Sequence, residues 1–156
     1  MFRDVTRKKQ KLTVEECVRI LKKEVRGVLA VVGDNGYPYA VPMNFYYSEK
    51  EHKIYFHSGK KGHKIDALLC CDKASFCVCD QGYRKEGEWA LNIASVIAFG
   101  KIKITDTWSN DMMVSFCKKF TDDLSYIENE IERYAADTIV LELAVEHMTG
   151  KIVNES

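Results

Sequence analysis

The sequence predicts a mainly β fold (α+β by helix content), an antiparallel barrel with peripheral helices. Three observations carry this reading. Short apolar runs rich in β-branched and aromatic residues recur along the chain, separated by turn-forming clusters. The helical patterns are confined to the start, the stretch after the third strand, and the stretch before the last. The connections between strands are mostly short, and about six strands linked this way favour an antiparallel sheet over parallel crossovers.

Element by element, residues 1–12 form a basic arm with Arg7, Lys8, Lys9 and Lys11, expected to be flexible and solvated. Thr13 followed by Glu16 is a capping box, and Cys17, Ile20, Leu21 and Val25 recur at helical spacing, so a helix is expected over 14–25. Val28 to Val32 reads as a strand, and Asp34-Asn35-Gly36 is a hairpin signal. Tyr37 to Tyr47 reads as one long strand, with Pro38 and Pro42 facing an edge, a bulge or something other than a neighbouring strand, because proline donates nothing to a ladder. Residues 53–57 return as a strand, and a small basic turn, Ser58 to Lys64, leads to a helical pattern at Ile65, Leu68 and Leu69. Residues 74–80 are strand-like and 83–88 form a charged loop. The segment 89–105 is a long β segment with Gly100 as a bulge candidate. Two helical patterns at 108–120 and 125–134 precede a last strand, Thr138 to Val145.

Composition narrows function. The 156 residues and 17.9 kDa suit a single domain, 1–156. Basic and acidic residues balance at 23 each, which argues against a nucleic-acid binder or a binder of anionic membranes. No apolar run approaches the ~20 residues of a membrane helix, and no signal peptide precedes the domain, so a cytoplasmic location is expected. The six cysteines show no CxxC and no zinc-finger spacing with histidine, so reduced thiols and no metal are expected. There is no Walker loop, no GxGxxG, no Gly-x-Ser-x-Gly and no Ser/His/Asp set.

The most informative segment is IYFHSGKKGHKIDAL. A strand, a Gly/Lys turn and a helix start can hold a phosphate, because free backbone N–H groups and flanking cations converge there. The same residues also suit a soluble turn before a helix. His57 ends the strand beside that turn, where a ligand-facing group would sit, although a lone histidine there also suits a surface position. Asn44 is polar within the apolar run VPMNF, and Trp89 and the tyrosines can stack on a planar ring or fill a core.

Taken together, DNGYPYAVPMNFYYS, KIYFHSGKKGHKIDAL and SVIAFGKI resemble the pyridoxamine 5′-phosphate oxidase-like FMN-binding split barrels, nearest the nitroimidazole-resistance (Nim-type) branch. The resemblance runs from about residue 13 to the TGK at 149–151. It implies a six-stranded antiparallel Greek-key split barrel that forms a homodimer with flavin at the subunit interface. Val41, Pro42 and Asn44 would neighbour the flavin ring. His57, Ser58, Gly62, His63 and Lys64 would hold the ribityl chain and phosphate, with His57 also the catalytic, proton-donating residue. Ser95, Val96 and Trp89 would approach from the second subunit. FMN is the implied cofactor, with FAD as the alternative.

The implied activity is that of a flavoprotein oxidoreductase, a nitroreductase passing electrons from a reduced nicotinamide or other donor to a small planar acceptor. The alternative is a flavin carrier or redox-sensing module without robust turnover. His63-Lys64 stands where the oxidases carry Arg-Lys, and their Arg-Leu-x-Pro substrate motif has no counterpart in TGKIVNES.

Overall fold

The computed structural model describes residues 1–155. The strands are β1 (Arg26–Val32), β2 (Pro38–Asn44), β3 (Tyr46–Ser48), β4 (Lys53–Gly59), β5 (Lys73–Cys79), β6 (Leu91–Thr105) and β7 (Thr138–Glu155). They form one antiparallel sheet in the order β2-β1-β5-β6-β7-β4-β3. β2 and β3 lie at opposite ends of that order yet are joined in the chain by Phe45 alone, so the sheet must curl until its ends meet. The result is a split barrel.

The stretch 37–47, expected as one strand, is therefore two, and the described residues hold seven strands in place of six. Phe45 breaks the ladder: it is fully buried, and its N–H bonds to the Val25 carbonyl at 3.3 Å. Filling the barrel interior costs one step of strand regularity. Pro38 and Pro42 sit on β2, an edge strand, where their missing donors are harmless. Asn35 (φ 57°) and Gly36 (φ 77°) make the left-handed turn between β1 and β2. At Gly100 the β6–β7 register shifts, and a Cβ there would stand 1.9 Å from the Ala144 carbonyl oxygen. β7 runs ten residues past the expected end at Val145, to Glu155, pairing with β6 throughout.

Among the described residues four α-helices decorate the barrel: α1 (Val14–Lys23), α2 (His63–Cys70), α3 (Asn110–Cys117) and α4 (Leu124–Tyr134). The Thr13/Glu16 capping box starts α1, which buries Cys17, Ile20 and Leu21 in the barrel core. The helix stops at Lys23, two residues before Val25, because the chain must be extended to enter β1 at Arg26. Inside, Phe76 meets Phe45 and Phe56 edge-on at 4.8 and 4.9 Å. Burying each such ring stabilises the fold by about 1.5–3 kcal/mol.

Lys119, just after α3, ties the helical layer to the barrel. Its Nζ donates to the Leu21 and Glu24 carbonyls and lies 3.9 Å above the Phe45 ring. Burial lowers its pKa to about 8. Residues 1–12 follow the barrel wall: Leu12 N–H bonds to Gly150 O at 3.0 Å, and Phe2 stacks on His147 at 5.0 Å.

Candidate functional site

Strand β4 organises the site because its alternate residues face opposite ways. Ser58 is buried on one side, and His57 is presented on the other. Lys64, in the first turn of α2, reaches back and donates to Ser58 Oγ at 2.6 Å. Burial pushes its pKa below the ordinary lysine value. Gly62 precedes α2 with φ 124°, a conformation that favours glycine, and offers no side-chain cap. The Ile65 and Asp66 N–H groups both bond to the Gly62 carbonyl, which leaves the His63 and Lys64 N–H groups without an acceptor within the helix. A Cβ at Gly59 or Gly62 would meet nothing within 4 Å, so the turn is open to an approaching group. A partly buried cation, uncapped helix N–H groups and an open glycine cradle fit a phosphate.

The His63 ring lies elsewhere. It stacks on Tyr39 at 4.1 Å, with Nε2 3.5 Å from the Asp34 carboxylate in the β1–β2 turn. Lys60 leaves the turn in the other direction, donating to Ala136 O at 2.6 Å and so tying it to the segment after α4.

On the far side of β4, α3 and α4 roof a cavity of about 540 Å³. Its floor includes His57 and Asn44, and its walls are mainly aromatic and aliphatic side chains from the helices. Phe116 meets His57 edge-on at 5.0 Å and Trp108 at 5.7 Å. His57 is open to the cavity, but the apolar walls desolvate it, and this holds its pKa below the usual 6.5, with a smaller push from Lys64. Asn44 Oδ1 accepts from Arg26 at 3.2 Å. The Trp108 indole N–H is buried without a hydrogen-bond partner.

The expected site residues thus fall into four groups. Ser58, Gly62 and Lys64 form the turn, with His63 at its edge, and His57 and Asn44 face the cavity. Pro42, Ser95 and Trp89 lie apart from both. Pro42 is exposed on the outer sheet face, where it pairs with Val28, and Ser95 is half-buried on the same face between Cys79 and Lys151. Trp89 is 76% exposed in the β5–β6 loop. Val41 packs inward against the core, and Val96 is fully buried there, so these two can offer an outside ligand only backbone.

The cavity roof was not legible as a site. Trp108, Phe116, Tyr126 and Glu130 show only the amphipathic spacing that any packed helix shows.

The split barrel thus carries an anion-fitting turn on one side of a strand and an aromatic cavity on the other. The chain belongs to the pyridoxamine 5′-phosphate oxidase family, whose sequence profile matches residues 13–152. No curated protein sequence matches it. Among solved structures it is similar to a candidate 5-nitroimidazole antibiotic resistance protein from Bacteroides thetaiotaomicron. The TM-score is 0.75 at 19% identity, over 92% of this chain and 87% of that one. A FAD-binding protein from Mesorhizobium loti matches at TM-score 0.65 and 19% identity, over 92% and 97% of the two chains. An FAD and heme binding protein from Mycobacterium smegmatis matches at 0.72 and 20%, over 95% and 74%. At these identities the likeness shows a shared fold.

Proposed function

We propose that the protein is a flavin-dependent oxidoreductase, with FMN as its cofactor, that reduces small planar acceptors such as nitroaromatics. The observation that carries this reading is Lys64 bonded to Ser58 at the uncapped start of α2, on the strand that also presents His57 to the cavity. Family membership and the FAD-binding proteins among the structural relatives support it.

When bound, the flavin supplies the electron relay between a reduced nicotinamide or other donor and the acceptor. Lys64 and the α2 N–H groups neutralise its phosphate, and Gly59 and Gly62 allow close backbone approach. With His63 held by Tyr39 and Asp34, the cationic grip falls to Lys64. His57 is neutral near pH 7 because burial lowers its pKa, so it gives a hydrogen bond to the acceptor from one ring nitrogen. Its protonated fraction, and with it proton donation, grows as pH falls.

The second half of the site comes from a second copy of the chain. The outer face of β1 and β6 exposes Val28 (40%), Ile97 (38%) and Phe99 (36%), an apolar surface that a homodimer would cover. Ser95 lies on that face, and Trp89 lies in the loop that leads into β6. Steady-state reduction of a nitroaromatic with NADH or NADPH tests the reading. Turnover dependent on bound flavin is expected; bound flavin with no turnover under either donor would make the protein a carrier or sensor instead.

A further inference from the structure

We propose that the cavity roofed by α3 and α4 is the acceptor subsite, and that it takes planar aromatic molecules that are neutral or cationic while excluding anions through Glu130 and Asp106. The proposal rests on the flavin-oxidoreductase reading for the word acceptor; the ligand class rests on the cavity alone.

At about 540 Å³ the space matches a small two-ring ligand, within the roughly 300–1,000 Å³ usual for such sites. Phe116 and Trp108 stand edge-on to each other, and Tyr126 and Tyr134 of α4 complete an aromatic wall suited to a flat ring. The polar lining is asymmetric in charge. Glu130 and Asp106 contribute carboxylates, whereas none of the described residues lining the cavity is lysine or arginine.

Among the described residues no nearby cation lines the cavity, although Arg26 donates to Asn44 on its floor and Arg133 stands 5.9 Å from the Tyr134 ring. Lys64 is bonded to Ser58 beyond β4, Lys60 to the Ala136 carbonyl, and Lys119 to Leu21 and Glu24. Burial pushes the Cys117 thiol pKa up, and the nearby Glu130 charge adds to that push. An anion entering this largely apolar space would meet two carboxylates and no cation in the lining, whereas a cation would gain a partner there. The turn and the cavity therefore sort charge in opposite senses across one strand.

Calorimetric titration tests this on the protein as purified and again after saturation with FMN. Three probes share one ring system and differ in charge: naphthylmethylammonium, naphthalenemethanol and naphthoate. The ammonium and the alcohol are expected to bind at least tenfold more tightly than naphthoate. Glu130→Gln should narrow the gap between ammonium and naphthoate by roughly tenfold while leaving the alcohol unchanged. Asp106→Asn, at a more exposed position, should narrow it less.

Naphthoate binding as tightly as the ammonium, or a gap that Glu130→Gln leaves untouched, would overturn the charge filter. Displacement of the alcohol by FMN would overturn the acceptor assignment, because the cavity would then hold the flavin ring. A protein that takes no flavin but keeps the charge order would remove the oxidoreductase reading and sustain the ligand class.

Discussion

The two sides of β4 are built from opposite materials. On the Ser58 side the chain collects Lys64, Gly62 and a helix N-terminus, all suited to a negative group. On the His57 side it collects aromatic rings and two carboxylates under a helical roof. Residues 57 and 58 are neighbours in sequence, yet the period of two along a strand sends them to different chemistries. A single short strand can thus divide the handling of a phosphate from the handling of a ring.

Breaking one side should leave the other intact. The largest effect is expected from His57→Ala, which should lower nitroaromatic turnover about 100-fold while flavin affinity stays within a factor of two or three. Undiminished turnover would remove His57 from the chemistry. Lys64→Ala should do the reverse, weakening FMN binding by roughly 10- to 100-fold, as expected for loss of a charge-assisted contact, without unfolding the barrel. Fluorescence titration with FMN measures this, and unchanged affinity would unseat Lys64.

A third test concerns the exposed apolar face on which the proposed dimer depends. Ile97→Glu places a charge in the middle of it and should shift the protein from dimer to monomer in light scattering, with flavin affinity reduced by roughly tenfold. A wild-type protein that is a stable monomer with flavin bound would contradict the two-copy site.

The smallest expected effect is on pH dependence. Burial favours neutral His57 in the folded state, so between its lowered pKa and 6.5 the unfolded chain binds more protons than the folded one. Stability should therefore fall as pH drops from 6.5 through that lowered value, and His57→Asn should remove this part of the dependence in urea unfolding. Proton donation moves oppositely, so turnover should rise over the same window until unfolding intervenes.

How much of this the sequence discloses varies with the physics involved. The hairpin at Asp34 to Gly36, the bulge at Gly100 and the edge position of the prolines follow from single-residue conformational rules, and the structure has all three. The turn at 58–64 was visible because glycine and lysine clustered beside a helix start are few in the chain. Phe45 is not legible because nothing local distinguishes a strand residue from one that must turn inward to close a barrel. The cavity escaped notice for a related reason. The spacing of Phe116, Tyr126 and Glu130 reports a helix face, and only the tertiary arrangement decides whether that face packs tightly or leaves room.

The absorption spectrum of the purified protein, with mass spectrometry of whatever small molecule it releases, tests the central claim most directly. The account predicts a yellow protein that releases FMN in a ratio near one per chain. A colourless protein that also fails to bind added FMN or FAD would contradict it.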